Sequence, residues 1–373
     1  AKYSSFELPF PPQIIPAMKT RLCFLFSLFT LSAIAQTELT VGVHSGMELF
    51  AVIHCMAGKT NTTPSQYLTD VKTYFKPYEN HPAVVAARSR NWYYYDIHEL
   101  GFALGNLPEH PVIEYIPAVW ERVMKSRDSV RVFMEQALDF YQKSNFQQFY
   151  NAHQHQYVTW GQPIREAIQK DQIIEKLENF YGKKKSVKWY IALDVLNANG
   201  AHAVIPKIVN PALEGMIIYQ QGYWSATKPD EYPRYKITNF LKYDLTWHEG
   251  SHVLTNDLQK QYKKEIEELN PLWERLDDDV KESLQRQVKD WPHCFDETLV
   301  RAISTALQHQ NLPPDKYERS LCKEIAQGFV YVKEVEEMLM NEYLPNRRKY
   351  PDFESFFPQI LAGLKKKYIA AKK

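Results

Sequence analysis

The hydrophobic pattern predicts a chain that begins with a strand and continues mainly as helices. Leu39, Val41 and Val43 alternate with other residues and predict a short strand, and the stretch after Gly46 predicts a helix that ends at Gly58. Further helical spacing is found over residues 65–75, 82–92 and 117–181, with an interruption expected at 161–163. The first half of the chain is therefore expected to be a helical body that carries one strand.

The period of the pattern changes after a lysine-rich loop at residues 183–185. Short runs of β-branched and aromatic residues predict strands at 189–196, 201–209 and 216–221, the last of them at an edge of the sheet. Helical spacing then predicts helices at 233–256, 258–269, 278–287, 292–310, 316–343 and 352–369. This order predicts an α+β fold that is predominantly helical, with a small sheet packed on one helix and a helical C-terminal lobe. Lobes at 36–185 and 186–373 are expected to form one integrated domain.

Composition excludes several classes of protein. The 373 residues are 45% hydrophobic and 24% charged, which argues against a disordered chain or a polytopic membrane protein. The 45 Lys and Arg against 44 Asp and Glu give a formal net charge of +1, so no overall field favours nucleic acid or an anionic membrane. No Cys-x-x-Cys pair is present, which excludes a cysteine-based zinc ribbon. Cys294 and Cys322 either pair in an oxidising compartment or remain free thiols.

The first 35 residues have the pattern of an upstream extension followed by a secretory signal peptide. Met18 is the expected start, Lys19 and Arg21 precede the apolar run Leu22–Ile34, and an Ala-Ile-Ala sequence fits cleavage after Ala35. A buried N-terminal helix is the alternative, because the apolar run could also pack in a core. The pattern predicts a bacterial protein that is periplasmic or secreted and is not stably inserted in a membrane after cleavage.

His248 and His252 belong to a complete His-Glu-x-x-His motif within a predicted helix. Residues four apart on a helix lie on one face, with Cβ atoms roughly 5–6 Å apart, so both imidazoles can bind one zinc ion. Glu249 projects beside them, where it can accept a proton from a water molecule that zinc activates. An incidental histidine pair on a structural helix is the alternative. The motif predicts one Zn²⁺ per chain and Glu249 as the catalytic base.

A catalytic zinc site needs a third protein ligand and leaves a fourth position for water. The extended metzincin motif does not continue here, because Thr255 and Leu258 occupy the positions of its glycine and histidine. Glu297 opens a predicted helix and is the best candidate, and Arg301 one turn later could hold its carboxylate. An exposed Glu297–Arg301 pair is the alternative. The fallback ligands are Asp296, His293 and Asp257.

The segments WHEGSHVLTN and DETLVRAI resemble the gluzincin branch of zinc metallopeptidases. The segments VGVHSGMELFAVIHCMAG and YFKPYENHPAV make the chain similar, more narrowly, to an uncharacterised family of secreted bacterial zincin-like proteins. The resemblance extends over Leu39–Gln310 and implies a zincin-like fold, with His248, His252 and Glu297 as ligands and Glu249 as base. Gly250 stands where a bulkier residue is common, which predicts a close approach of backbone or substrate.

Further candidates surround the motif. Asp244 and Asn256 recur with the two histidines at every fourth residue, and ligand imidazoles usually donate their second N–H to such side chains. Asp244, Asn256 and Arg301 are therefore candidates for orienting the ligands, with solvent-facing positions as the equal alternative for Asp244 and Asn256. Candidate donors to a transition-state oxyanion are His202, Tyr219 and Tyr223, which the sequence does not rank.

Together these residues predict a zinc-dependent hydrolase, most specifically a metallopeptidase that acts on a peptide or protein substrate. The alternative function is a noncatalytic zinc-containing protein that binds a partner in the periplasm or at the cell surface on the same scaffold. No further cofactor and no nucleic acid partner is expected from the sequence.

Overall fold

The computed structural model is α+β and predominantly helical, as the hydrophobic pattern predicts. It describes residues 38–91, 94–107, 111–118, 124–182, 188–198, 200–205, 213–220, 225–226 and 228–368. The expected extension and signal peptide at 1–35 lie outside the described residues. No described helix combines the length and the apolar composition that crossing a membrane requires.

A four-stranded mixed sheet joins distant parts of the chain. Its strands are β1 (Glu38–Gly42), β2 (Lys188–Asp194), β3 (Ala201–Val204) and β4 (Leu213–Gln220). Their order across the sheet is β1-β2-β4-β3, with β1, β2 and β4 parallel and β3 antiparallel to β4. Because β1 pairs with β2, one sheet contains strands from both of the predicted lobes, 36–185 and 186–373.

The strand expected at the edge of the sheet is an interior strand. β4 has β2 on one side and β3 on the other, and Met216, Ile217 and Ile218 are fully buried. Such a continuous apolar run is typical of a strand that is covered on both faces. Within the described residues, β3 is the outer strand beside β4. Residues 206–209 of the third predicted strand, and residue 221 of the fourth, lie outside those residues.

The helices before β2 include one that was expected to be broken. They are α1 (Ser45–Met56), α2 (Gln66–Phe75), α3 (Pro82–Arg88), α4 (Tyr94–Ala103), α5 (Arg127–Lys143), α6 (Phe146–Ala152), α7 (Gln154–Lys170) and α8 (Ile173–Tyr181). The interruption predicted at 161–163 is wrong, because α7 continues through Pro163. Tyr157, Trp160 and Ile164 give α7 a buried face, and this burial outweighs the roughly 3 kcal/mol that an interior proline costs a helix.

The helices after β4 differ from the prediction mainly at their ends. They are α9 (Thr246–Gln261), α10 (Lys263–Glu267), α11 (Pro271–Glu274), α12 (Asp278–Gln285), α13 (Trp291–Asn311), α14 (Pro314–Ala326), α15 (Val332–Met338) and α16 (Phe353–Tyr368). The helix predicted from residue 233 begins later, because Arg234–Tyr235 is a strand, β6, which pairs with β5 (Ser225–Ala226). The helix predicted at 316–343 is divided where Gly328 adopts a φ of 102°, a conformation that favours glycine.

A π-helical turn, Leu241–Leu245, leads directly into α9. The Thr246 N–H donates to the Leu241 carbonyl, five residues earlier, and the Thr246 hydroxyl donates to the same oxygen at 2.5 Å. A π turn is wider than an α turn, so the residues before Thr246 are rotated relative to those of α9. The four-residue ladder of the sequence is therefore not continued upstream of α9.

Helices α1 and α4 cross with their backbones in contact. A Cβ atom on Gly46 would lie 2.2 Å from the Gly101 carbonyl oxygen, and one on Gly101 would lie 2.4 Å from the Met47 Cα. Both distances are shorter than those that real Cβ atoms adopt, so each position requires glycine. The contact fixes the position of α4, the helix that carries His98.

The cysteines of the described residues are free thiols. Cys294 is buried in α13, whereas Cys322 is exposed on α14. The structure thus has the free thiols and not the Cys294–Cys322 disulfide, the two alternatives that the sequence left open.

A buried carboxyl group lies in the first turn of α1. Glu48 is only 2% exposed and accepts a hydrogen bond from Tyr67 Oη at 2.5 Å, and Tyr67 Oη lies 2.7 Å from Tyr157 Oη. Burial raises the pKa of Glu48 to about 8, from an ordinary value of 4.5. Between these two pH values the folded state holds a proton at Glu48 that the unfolded state has released.

We expect the free energy of unfolding to decrease as the pH rises from about 5 to about 8, because in this window unfolding releases the proton that Glu48 holds in the folded state. The contribution of one such group is at most about 1.4 kcal/mol per pH unit. The Glu48→Gln variant keeps an acceptor for Tyr67 but does not titrate, so its stability should lack this part of the slope. Urea unfolding across the window measures both slopes, and equal slopes would contradict the prediction.

Candidate metal centre

Two helices bring the predicted ligands together. α9 places His248 and His252 one turn apart, and their Nε2 atoms lie 3.2 Å from each other. α13 packs against α9 and contributes Glu297, whose Oε2 lies 3.7 Å from His248 Nε2 and whose Oε1 lies 3.5 Å from His252 Nε2. The three ligand atoms all lie within 4.8 Å of one another. The structure therefore has a possible metal-binding group made of the three residues that the sequence predicts.

The spacing of this ligand cluster, defined as His248, His252 and Glu297, fits a tetrahedral metal ion. Ligand atoms that are 2.0–2.1 Å from an ion stand about 3.3 Å apart in tetrahedral geometry. The observed separations of 3.2, 3.5 and 3.7 Å lie close to this value. Side-chain exposures of 15%, 21% and 16% for the three residues leave the cluster accessible from solvent.

Two of the three ligands have the protonation state that a metal requires. Burial lowers the pKa of His248 to about 3, so its imidazole is neutral. Burial would raise the pKa of Glu297, but His252, His248 and Arg301 outweigh burial and hold this pKa well below its usual value. Neutral imidazole and ionised carboxylate are the forms that bind metal ions.

Asp296 orients His252 and does not join the ligand cluster. Its carboxylate lies 3.2 Å from His252 Nδ1, on the opposite side of the ring from the nitrogen that faces Glu297, and it also accepts a hydrogen bond from Gln259. A carboxylate in this position fixes the ring and its tautomer. Burial lowers the pKa of His252, but Asp296 and Glu297 outweigh burial and raise it, so a metal ion has to displace a proton from this ring.

Arg301 holds Glu297, as the sequence predicts. Its Nε and Nη2 donate to Glu297 Oε2 at 3.2 and 3.1 Å, and its Nη1 donates to Glu324 and, at 3.3 Å, to Gln327. The guanidinium also lies over the Phe329 ring, 4.1 Å from its centre. The exposed Glu297–Arg301 pair that the sequence allowed as an alternative is therefore not what the structure shows.

Other predicted positions do not contact the ligand imidazoles in the part of the chain that the structure describes. Asp244 pairs with Lys323 Nζ at 3.6 Å, because the π turn rotates it away from the ligand face of α9. Asn256 donates to Asp257 at 3.2 Å. The fallback ligands His293 and Asp257 are not members of the ligand cluster. The four-residue ladder therefore supplies the two ligands but not their partners.

A cleft of about 790 Å³ contains the ligand cluster. β3 forms part of its wall through Ala201, His202 and Ala203, and Arg286 and Gln287, which follow α12, form another part. The remaining lining residues are Ile205, His248, Glu249, His252, Asn256, Gln259, Asp296, Glu297 and Arg301. A bound ion would therefore be reached by a molecule that enters this cleft.

Glu249 lies next to the ligands on α9 and lines the same cleft. It is 6% exposed, and burial raises its pKa to about 7. The next residue, Gly250, lies against α8, because a Cβ atom there would come within 2.4 Å of Leu177 Cδ2. The close approach at Gly250 is thus that of the Leu177 side chain, whereas the sequence predicts an approach of backbone or substrate.

The candidate oxyanion donors lie in different environments. His202 is in the wall of the cleft. Tyr219 is buried, and its hydroxyl lies 2.5 Å from Oγ1 of Thr246, the first residue of α9. Tyr223 lies outside the described residues.

A buried polar network that the sequence does not predict contacts β3 through His202. His98 Nε2 lies 2.5 Å from Asp194 Oδ2, and His98 Nδ1 lies 3.2 Å from His202 Nε2. Asn197 donates to the same carboxylate at 2.6 Å. Because His98 and Asp194 are 96 positions apart, no local pattern relates them. The network holds the His202 ring in the wall of the cleft.

One protein family matches residues 94–363 and is described as a Domain of unknown function (DUF4932). The chain belongs to this family. The DUF4932 region begins at the start of α4 and ends within α16, so it contains both ligand helices, β2, β3, β4 and the cleft, whereas β1 and α1 precede it. Comparison with curated proteins and with solved structures gives no match.

Proposed function

We propose that this protein is a zinc-dependent hydrolase and, more specifically, a metallopeptidase. The observation that carries the proposal is the ligand cluster on the wall of an open cleft, with Glu249 beside it. Three protein ligands leave one position of a tetrahedral site for water or substrate, and this distinguishes catalytic from structural zinc sites. The resemblance of the two sequence motifs to gluzincins supports the same assignment.

The donor set favours zinc over calcium and magnesium. Two imidazole nitrogens and one carboxylate oxygen are a known ligand set of catalytic zinc, whereas calcium and magnesium prefer oxygen ligands alone. His248, His252 and Glu297 would hold one Zn²⁺ per chain. Asp296 and Arg301 would keep two of these ligands in place through the hydrogen bonds that they already form.

The chemistry that we propose is the hydrolysis of an amide bond. When bound, zinc polarises the substrate carbonyl and lowers the pKa of a water molecule at its open position. Glu249 accepts the proton of the attacking water and passes it to the leaving amine. Its burial beside the ligands, in the lining of the cleft, suits a group that has to gain and then release a proton.

An extended peptide is the substrate that the cleft wall favours. β3 is the outer strand beside β4 in the described sheet, and its edge can pair with a further strand. Ala201 and Ala203 are small, so a peptide backbone can approach β3 closely. We propose this role for β3, because β4, for which the sequence predicts an edge position, is an interior strand.

The Glu249→Gln variant should retain one zinc ion and cleave peptides at least about a hundredfold more slowly, because a general base contributes roughly 10²–10⁴-fold. Cleavage sites in a mixed peptide library, identified by mass spectrometry for wild type and variant, measure the effect. The Glu282→Gln variant is the control, because Glu282 is exposed and does not line the cleft.

Each result of this experiment decides between the candidate functions. Cleavage by Glu249→Gln at the wild-type rate would contradict the proposed mechanism. A wild-type protein that binds one zinc ion and cleaves no member of the library would favour the noncatalytic zinc-containing binding protein.

A further inference from the structure

A bound metal ion would leave the lining of the cleft net positive. Three carboxylates and two guanidinium groups line it: Glu249, Asp296, Glu297, Arg286 and Arg301. The two ligand histidines are neutral when they bind a metal ion. With a divalent cation bound, the three carboxylates, the two guanidinium groups and the ion leave the lining net positive, and a positive cleft attracts anionic groups.

The two arginines of the cleft have different surroundings. Arg301 is 15% exposed, and its donors are used by Glu297, Glu324 and Gln327. Arg286 follows the last turn of α12 and is exposed, and among the residues that the structure describes no carboxylate pairs with it. Its guanidinium is therefore available to a ligand in the cleft.

Arg286 lines the same cleft as the ligand cluster, and its neighbour Gln287 contacts the arginine that holds Glu297. Its neighbour Gln287 has Oε1 at 3.5 Å from Arg301 Nη2, and the same Nη2 donates to Glu297. A peptide residue spans at most about 3.6 Å when the chain is extended. Because Arg286 and Gln287 line the same cleft as the cluster, a peptide whose scissile bond lies at the cluster and that extends along this wall comes within reach of Arg286 after a few residues.

We propose that Arg286 is the anion-recognition residue of this cleft, and that the preferred substrates carry a carboxylate a few residues from the scissile bond. The inference rests on the proposed function, since it names the substrate class of the same site. Two sources supply such a group, the free C-terminus of a peptide and the side chain of Asp or Glu. A guanidinium binds both through the same paired hydrogen bonds.

Matched peptides distinguish the two sources. One pair differs only in a C-terminal carboxylate or carboxamide, and a second set replaces Asp or Glu by Asn or Gln at each position in turn. Wild type should cleave the anionic member with a kcat/KM roughly tenfold higher, because a hydrogen bond to a charged group contributes about that factor. The difference should lie mainly in KM, since the contact is already made in the bound substrate.

Variants at position 286 test the residue itself. Arg286→Gln should remove the preference for the anionic member, and Arg286→Glu should replace it with a preference for Lys at the same position. Lys289→Gln is the matched control, because Lys289 is an exposed cation three residues later that does not line the cleft. A wild type without preference, or an Arg286→Gln variant with the wild-type preference, overturns the proposal.

Peptide binding separates this proposal from the proposed function. Fluorescence anisotropy with zinc-loaded Glu249→Gln protein measures affinity for the two members of each pair without cleavage. One possible result is that wild type cleaves no peptide, while Glu249→Gln binds the anionic member more tightly and the Glu249→Gln/Arg286→Gln double variant binds both members equally. Anion recognition then holds, and the peptidase assignment fails. Equal affinities for both members in Glu249→Gln overturn anion recognition, whatever the cleavage result.

Discussion

The His252→Ala variant should fail to retain the single zinc ion that we expect each wild-type chain to bind. The change removes one of the three donors that lie within 4.8 Å of one another, and it leaves the Asp296 carboxylate without the imidazole that it orients. The loss of affinity should exceed the 10–100-fold that removal of an outer partner costs. Metal analysis after dialysis, followed by competition with a chromogenic chelator, measures the stoichiometry and the affinity.

Two further variants on α13 make this prediction specific. Asp296→Asn removes the negative charge beside His252 Nδ1 and keeps an acceptor, so it should bind zinc about 10–100-fold more weakly but with unchanged stoichiometry. His293→Ala removes a fallback ligand that lies outside the ligand cluster, and it should bind zinc like wild type. Stoichiometric zinc in His252→Ala, or its loss in His293→Ala, would show that the ligand cluster is wrongly assigned.

The Gly101→Ala variant should be destabilised by about 3 kcal/mol or more. Its added methyl group would lie 2.4 Å from the Met47 Cα, and a backbone atom cannot move aside as a side chain can. Overpacking of this kind typically costs 1–3 kcal/mol and more where the elements have to separate, whereas the gain in helix propensity is only about 1 kcal/mol. The free energy of unfolding, from urea titration followed by circular dichroism, measures the effect.

Gly363→Ala is the matched control for this change. Gly363 is also a helical glycine, but its added methyl group meets only Met338, whose Sδ and Cε atoms belong to a flexible side chain. Its stability should therefore stay within about 1 kcal/mol of wild type. A Gly101→Ala protein as stable as the control would mean that α1 and α4 are not in backbone contact.

The sequence predicts elements well where the pattern is local. The helices α1, α13 and α16 lie close to their expected bounds because apolar residues at helical spacing continue between clear end signals. The order of the strands is not local, so the sequence predicts an edge position for β4, although strands lie on both sides of it. The pattern predicts a break at Pro163 because the partners that stabilise α7 are distant in the chain.

The same distinction applies to the candidate site. The positions of His248, Glu249 and His252 follow from one helical turn, and the Glu297–Arg301 contact follows from another. The role of Asp296 depends on how α9 and α13 face each other, which spacing along one helix does not determine. The environment of Asp244, which pairs with Lys323, depends on a π turn that no simple pattern marks.

The pairing of Arg301 with Glu324 has a consequence for the C-terminal third of the chain. α14 contributes no ligand, yet through Glu324 it holds the arginine that holds Glu297. Coupling free energies are reciprocal. If the contact of α14 with Arg301 strengthens metal binding, a bound metal ion stabilises the docking of α14 by the same free energy. The loaded and the metal-free protein should therefore differ in the stability of α14, a helix that contributes none of the three ligands.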